Sequence, residues 1–296
     1  MKVVVCGASG LIGVPLLERL RADRHDVVQL VRRPARGPDE VTWDPATGRL
    51  DRRALAGVEA AINLSGAGVG DKRWTPEYKE VIRRSRIDTT LTLAGALAEL
   101  EPRPKVLLQG SGIGIYGERG DEVLTEAAVP GQGFLAEVVT DWEAAARPAV
   151  DAGIRVAYLR SGLVMTPKGG AFGRLLPLFK LGLGGKLGRG SMWWSWITLP
   201  DEIGAIMFLL EQDVAGPVNL TGPAPVTNAT MTASLGRALR RPAVFFVPPF
   251  ALRAALGGFT EEVLASQRVT PQTLLDAGFT FKHADVDAAS RWLATA

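Results

Sequence analysis

The sequence predicts an α/β fold, in which a doubly wound parallel sheet carries a smaller, mostly helical C-terminal lobe. Short, continuous apolar strands alternate with amphipathic helices through the first half of the chain, a pattern typical of a parallel sheet covered by helices on both faces. After residue 163 the sequence becomes rich in glycine and then contains a proline-rich segment. We therefore predict a Rossmann domain over residues 1–163 and a smaller lobe over residues 164–296.

Six strands account for most of the predicted sheet, and a seventh is expected from the second half of the chain. The six are predicted at residues 3–6, 27–31, 41–43, 60–64, 106–109 and 155–159, and residues 217–221 are predicted to rejoin the sheet. Helices are predicted at residues 11–21, 77–100 and 141–151. Because crossovers between parallel strands are right-handed, this order of elements gives a doubly wound sheet.

A glycine-rich turn between the first strand and the first helix is the most specific motif. It reads Gly7-x-x-Gly10-x-x-Gly13. The first glycine permits a sharp turn, the second lets the backbone approach a pyrophosphate, and the third allows close packing of the helix on the strand. Free N–H groups at the helix start attract the anion. The alternative is a tight turn without a ligand. We predict a bound dinucleotide, held by Gly7, Ser9, Gly10, Leu11, Ile12 and Gly13.

The residues after the second strand indicate which dinucleotide is bound. An acidic residue there binds the ribose 2′-hydroxyl of NAD, whereas a basic residue accommodates the 2′-phosphate of NADP. The chain has Arg32-Arg33 at this point and no acid. A guanidinium suits a phosphate because its planar fork makes paired, charge-assisted hydrogen bonds. The alternative is that both arginines are ordinary solvated loop residues. We predict NADP, with Arg32 and Arg33 at its ribose phosphate.

Composition excludes several other classes of partner. The 34 basic and 31 acidic residues are scattered, so nucleic acid is not expected. No apolar run approaches the roughly 20 residues that span a bilayer, so we expect no membrane association. The two histidines, His25 and His283, offer no metal-ligand spacing. The single cysteine, Cys6, fits a reducing compartment, and we expect a cytoplasmic protein.

Three further motifs follow predicted strands, and two more lie on predicted helices. The segments are Asn63-Leu64-Ser65-Gly66-Ala67, Ser111-Gly112-Ile113-Gly114-Ile115-Tyr116-Gly117, Arg160-Ser161-Gly162-Leu163-Val164, Trp142-Glu143 and Ser85-Arg86-Ile87-Asp88. Taken together, the chain resembles the short-chain dehydrogenase/reductase superfamily, in its extended, epimerase-like branch. Within that branch it is similar to the bacterial epimerase-family proteins that share a characteristic C-terminal domain with a human short-chain reductase-like homologue.

The resemblance implies roles for several of these residues. It places Asn63, Leu64, Ser65 and Gly66 along the adenosine-ribose and pyrophosphate side of the cleft. It places Ser111 and Arg160 near the nicotinamide half. The alternative for Arg160 is a strand-end ion pair with a carboxylate.

Arg86, on the long helix, lies where a guanidinium can reach the cofactor or a bound anion. The alternative is an ion pair on the helix surface with Asp88 or Glu80.

The catalytic pattern of the family is altered in this chain. The family uses a tyrosine four residues before a lysine, whose charge lowers the tyrosine pKa for acid–base catalysis. Here Phe134 and Val138 stand at the expected positions, and neither side chain titrates. Ser111 and Tyr116 are the remaining catalytic candidates, with packing in a glycine-rich turn as the alternative for Tyr116.

Two functions remain open from the sequence. The first is an NADP-binding oxidoreductase or epimerase-like protein that acts on an unknown small molecule. The second is a non-catalytic NADP(H)-binding sensor or regulatory protein. No sequence feature decides the oligomeric state.

Overall fold

Strands and helices alternate along the chain in the computed structural model, which describes residues 1–296. The strands are β1 (Lys2–Cys6), β2 (Asp26–Val31), β3 (Glu40–Thr42), β4 (Ala60–Asn63), β5 (Val106–Gly112), β6 (Val123–Leu124), β7 (Arg155–Ser161), β8 (Leu163–Met165), β9 (Gly185–Leu187), β10 (Trp193–Trp194), β11 (Trp196–Thr198), β12 (Gly216–Leu220), β13 (Val226–Thr227), β14 (Phe245–Val247) and β15 (Arg268–Val269). The helices are α1 (Gly13–Ala22), α2 (Pro76–Ala98), α3 (Phe134–Ala144), α4 (Arg147–Asp151), α5 (Gly170–Lys180), α6 (Leu199–Glu211), α7 (Asn228–Leu239), α8 (Pro249–Leu256), α9 (Thr260–Leu264), α10 (Gln272–Asp276) and α11 (Val286–Thr295).

A seven-stranded sheet forms the centre of the molecule, which confirms the predicted fold class. Its strand order is β12-β7-β5-β4-β1-β2-β3, and every neighbouring pair is parallel. From β1 the chain builds β2 and β3 on one side and β4, β5, β7 and β12 on the other. The order therefore reverses between β1 and β4, and a ligand crevice is expected at the carboxyl ends of these two strands.

Both faces of the sheet are buried, which explains why its strands are continuously apolar. Val3 and Val5 pack with helices α1 and α6, whereas Val4 and Cys6 pack with α2 and α4. All four side chains have 0% exposure. Burial on both faces removes the alternation of polar and apolar residues that a half-exposed sheet shows.

The helix predicted at residues 141–151 is wrong in its extent. The structure has two helices instead, α3 from Phe134 to Ala144 and α4 from Arg147 to Asp151. Helix α3 begins earlier because Val138, Val139 and Trp142 form its buried stripe. Helix α4 starts anew around Pro148, whose missing N–H is tolerated only in a first helical turn.

The second half of the chain is tied to the first by two strand pairings. Strand β12 lies at the edge of the main sheet beside β7, where residues 217–221 were expected. Strand β15 pairs with β6. Trp194 and Trp196 pack in a separate apolar cluster of this half, together with Phe172 and Met231.

None of the helices combines the length with the apolar content that crossing a membrane requires.

Strand β12 should belong to the cooperative core, and Leu220 tests this. Its side chain has 0% exposure within the cluster that holds α1, α6 and the sheet. We expect Leu220→Ala to lower the free energy of unfolding by about 2–5 kcal/mol, since it leaves a cavity in a close-packed core. Urea denaturation measures the change. Leu181→Ala is the matched control, because Leu181 is 73% exposed and its truncation should cost no more than about 0.5 kcal/mol. Equal costs for the two variants would place β12 outside the core.

Candidate active site

The glycine-rich turn lies where the sheet order reverses, and two of its glycines have no room for a side chain. Gly7 has a φ of +75°, and a Cβ there would lie 2.5 Å from the carbonyl oxygen of Leu64. A Cβ on Gly13 would lie 2.3 Å from the carbonyl oxygen of Gly7. Ile12 precedes the helix without a capping side chain, and the N–H groups of Leu11, Ile12 and Gly13 make no hydrogen bond within the protein, so they are left for a ligand.

The outer part of this turn is open to solvent. Ser9 and Gly10 are exposed, while Leu11 and Ile12 are half-buried. Gly10 N donates to the carbonyl of Gly7 over 3.0 Å. The six predicted loop residues thus form one compact turn around the start of α1.

The loop after β4 lies against this turn, and its residues differ in their availability. Asn63 is fully buried and its side-chain amide donates to Thr90 and Gln109, while its carbonyl accepts from the N–H of Ser65. This side chain therefore fixes the loop and is not free for a ligand. Leu64, Ser65 and Gly66 are half-buried or exposed at the crevice.

The two arginines after β2 are in different situations. Arg33 binds Glu40 through both terminal nitrogens, over 2.7 and 2.6 Å, and lowers the pKa of that carboxyl to about 2 together with an N–H bond from Arg36. Arg32 is exposed and lines a cavity of about 650 Å³ beside Thr42, Arg84 and Ser85. Of the pair, Arg32 has the guanidinium that is free for a phosphate.

Arg86 is a half-buried cation without an acidic partner. Its Nη1 donates to the carbonyls of Ala67 and Ile82 over 2.9 and 3.0 Å, and its guanidinium carbon lies 5.0 Å from the ring centre of Trp142. Burial lowers the pKa of Arg86 to about 10. Glu80 pairs with Arg84 instead. Nε and Nη2 of Arg86 remain for an anion beside the β4 loop.

A buried network joins the carboxyl ends of β5 and β7 to helix α3. Arg160 makes a bidentate ion pair with Glu143, over 2.8 and 2.9 Å, and the two side chains are only 7% and 14% exposed. Ser111 donates to the same carboxylate over 2.6 Å. Arg160 thus adopts the strand-end ion pair, and the sequence did not single out Glu143 as its partner, although the Trp142-Glu143 motif contains it.

Tyr116 belongs to this network and is sealed from solvent. It has 0% exposure, and its hydroxyl donates to Asn219 over 2.7 Å and accepts from Arg160 over 3.0 Å. Burial raises the pKa of the phenol, and Arg160 opposes that rise only in part. This geometry opposes the predicted role of direct proton donor and favours packing.

Aromatic and aliphatic side chains occupy the positions where a tyrosine and a lysine were expected. Phe134 begins α3 and packs edge-on against Trp74, with ring centres 5.0 Å apart. The Lys79 ammonium lies 4.8 Å from the centre of the Phe134 ring. Val138 has 0% exposure. The α3 face therefore offers no titrating group at these two positions.

A second buried glutamate lies on the opposite face of the sheet. Glu202, on the first turn of α6, has 0% exposure, and its Oε1 lies 2.5 Å from Oγ of Ser161 at the end of β7. Its Oε2 has no hydrogen-bond partner. From sequence, Asp201-Glu202 indicates only an acidic helix start. The burial of Glu202 depends on how α6 packs against the sheet, which is a tertiary feature.

Comparison with known proteins agrees with this architecture. Residues 3–221 match the model of the NAD dependent epimerase/dehydratase family, and residues 247–293 match a domain of unknown function, DUF1731. The chain belongs to the epimerase/dehydratase family. An epimerase family protein of Mycobacterium bovis is 43% identical over 99% of this chain and 97% of its own length. The bovine epimerase family protein SDR39U1 is 35% identical over 98% of both chains.

A solved structure of this family also superposes on the chain. The crystal structure of human SDR39U1 with NADPH has a TM-score of 0.91 and 33% identity, and the match covers 100% of this chain and 99% of that one. The family membership confirms the resemblance that the ordered motifs carried.

The Arg160–Glu143 pair should contribute strongly to stability, because removing the acid leaves a buried cation. We expect Glu143→Ala to lower the free energy of unfolding by about 3–5 kcal/mol. Urea denaturation checks this, with Glu122→Ala as a control that breaks the pair of Arg119 with an acid that is 51% exposed. The control should cost at most about 1 kcal/mol. A Glu143 variant no worse than the control would show that the pair is solvated.

Proposed function

We propose that the protein binds NADP(H) across the carboxyl ends of β2, β1, β4, β5 and β7. The glycine turn carries this proposal, because the backbone contacts at Gly7 and Gly13 are too close for a Cβ and the N–H groups of Leu11, Ile12 and Gly13 have no partner within the protein. Tight packing of this kind lets backbone N–H groups reach a pyrophosphate. The NADPH in the human relative supports the same cofactor here.

The phosphate on the ribose would be held by Arg32. Its guanidinium is exposed at the cavity beyond β2 and makes no ion pair, whereas Arg33 is occupied by Glu40. No acidic residue follows β2 directly, so the position that binds the ribose 2′-hydroxyl of NAD holds no carboxylate. We therefore assign the preference for NADP over NAD to Arg32 and give Arg33 the role of fixing the loop.

NADP(H), when bound, supplies hydride transfer, and we propose that the protein uses it on a small molecule. Ser111 would lie beside the nicotinamide half. Its hydrogen is given to the Glu143 carboxyl group, which forms a bidentate ion pair with Arg160, so its remaining lone pairs can only accept a hydrogen bond. Ser111 therefore suits a ligand group that donates, such as a hydroxyl.

A sensor without turnover is the second candidate function. It is favoured by the loss of titrating groups at Phe134 and Val138 and by the sealing of Tyr116. Such a protein would bind NADP(H) and convert its occupancy into a contact with a partner. A cytoplasmic location, for either function, rests on the single cysteine.

Arg32 should discriminate between the two dinucleotides. We expect Arg32→Met to weaken NADPH binding by about 10-fold, since it removes a charge-assisted hydrogen bond to the 2′-phosphate, and to leave NADH binding unchanged. Arg33→Met is the matched control and should change NADPH affinity far less. Fluorescence titration of NADPH and of NADH with each variant gives the dissociation constants, which are compared with those of the wild type. Equal losses for NADPH and NADH would refute the assignment.

Tyr116 should prove structural. A screen of carbonyl compounds with NADPH identifies a substrate, and we expect Tyr116→Phe to retain turnover while losing about 1–3 kcal/mol of stability, because Arg160 and Asn219 lose a buried partner. Steady-state kinetics and urea denaturation check both parts. A drop in kcat of about 100-fold or more would instead make the phenol the acid. Tight NADPH binding without turnover on any compound would favour the sensor.

A further inference from the structure

Two serines end neighbouring strands of the sheet, and each is hydrogen-bonded to a buried glutamate. Ser111 on β5 bonds Glu143 over 2.6 Å, and Ser161 on β7 bonds Glu202 over 2.5 Å. Only the first glutamate has a cation, Arg160, against it. The two pairs therefore differ in charge, although their residue types are the same.

We propose that Ser161 donates a hydrogen bond to the carbonyl oxygen of the nicotinamide carboxamide, and that the neutral carboxyl of Glu202 holds it in that role. This inference rests on the proposed function, because it requires NADP(H) in the cleft. It assigns the nicotinamide end to a side chain of β7 and gives a use to a buried acid that the rest of the site does not explain.

The charge of Glu202 follows from its surroundings. A buried carboxylate is costly unless it is paired and hydrogen-bonded, and here one oxygen, Oε2, has no partner at all. Burial raises the pKa of Glu202 to about 8, and the bond from Ser161 opposes that rise only in part. Burial therefore favours the neutral carboxyl, which carries one hydrogen.

Charged groups on the packed elements do not compensate the carboxylate. Asp201, next to it on α6, accepts from the backbone N–H groups of Lys282 and His283 and is turned away. Arg155, at the other end of β7, donates to the carbonyls of Leu209 and Val214. Only desolvation and Ser161 act on the Glu202 carboxyl.

A neutral Glu202 leaves the hydrogen of Ser161 free. The carboxyl proton is used best on Oε1, because only that oxygen has an acceptor within reach, the hydroxyl of Ser161. The serine then accepts from Glu202 and can give its own hydrogen to a ligand. Ser111 is in the opposite state, since it donates its hydrogen to Glu143, which is paired with Arg160.

The position of Ser161 indicates which part of the cofactor it meets. Arg32 follows β2 and Ser161 ends β7, and the sheet order places β1, β4 and β5 between them. Four strand spacings of about 4.8 Å separate the two ends by roughly 19 Å. A dinucleotide whose ribose phosphate lies at Arg32 and whose pyrophosphate lies at Gly10 therefore presents its nicotinamide at β5 and β7. Ser161 is half-buried at this edge of the sheet.

Calorimetric titration with NADP⁺ between pH 6.5 and 9.5 tests the proposal. At pH 6.5 we expect Ser161→Ala to bind about 2- to 12-fold more weakly than the wild type, the effect of one hydrogen bond. As pH rises through about 8, Glu202 ionises and takes the serine hydrogen. The ratio between Ser161→Ala and wild type should therefore fall to one by pH 9.5. Glu202→Gln donates to Ser161 at every pH and should keep the tighter binding at pH 9.5.

Matched controls and a cofactor analogue separate the sources of each effect. Ser191→Ala and Glu211→Gln change exposed residues and should follow the wild type at each pH. The thionicotinamide analogue of NADP⁺ replaces the carboxamide oxygen by sulfur, a weak acceptor, so Ser161→Ala should not weaken its binding. Circular dichroism confirms that each variant is folded, and if Glu202→Gln is not, the pH dependence of Ser161→Ala against wild type decides.

The possible failures are distinguishable. A wild-type protein that does not bind NADP⁺ at pH 6.5 refutes the proposed function. Binding by the wild type with no loss in Ser161→Ala at any pH overturns the inference alone. If the weakening of binding in Ser161→Ala does not depend on pH, Glu202 does not control the serine hydrogen. If Ser161→Ala weakens binding of the thio analogue equally, the carboxamide oxygen is not the acceptor.

Discussion

The close approach of two loops at the carboxyl edge of the sheet is the constraint on which the site depends. Gly7 ends β1 and comes so close to Leu64, after β4, that a Cβ would meet its carbonyl at 2.5 Å. Gly13 brings α1 equally close to the turn itself. These contacts fix the position of the start of α1 relative to the loop after β4. The β4 loop consequently lies against the glycine turn, and the guanidinium of Arg86 donates to that same loop at Ala67.

Burial decides the chemistry of the side chains around this crevice more than residue type does. Glu143 lies against Arg160, and its carboxylate is compensated by two hydrogen bonds from that guanidinium. Glu202 lies on the other face of the sheet without a cation, so the neutral form is favoured. Two serines on neighbouring strands thereby acquire opposite hydrogen-bonding roles. Tyr116 is buried as well. Its hydroxyl donates to Asn219 and accepts from Arg160, so neither function is left for a substrate.

Much of the fold and of the cofactor side was predictable, because the signals are local. The strand, turn and helix around Gly7 to Gly13 occupy consecutive residues. The continuously apolar strands indicate a sheet that is covered on both faces. Prediction was weaker for helix α3, because the helix was predicted to begin at residue 141 and the buried stripe of Val138 and Trp142 was overlooked. Asn63 was assigned to the cofactor, yet tertiary hydrogen bonds to Thr90 and Gln109 commit its side chain to the loop.

The sequence by itself determined the fold class, the family and the position of the dinucleotide turn, since each depends on spacing along the chain. Only the tertiary structure decided which of two adjacent arginines is free, because Glu40 reaches Arg33 from a neighbouring strand. It also decided which buried acid has a cation beside it. Glu143 and Arg160 are 17 residues apart, and Ser161 and Glu202 are 41 apart. Such pairs form only when helices α3 and α6 pack against the end of β7, and desolvation there raises the pKa of Glu202.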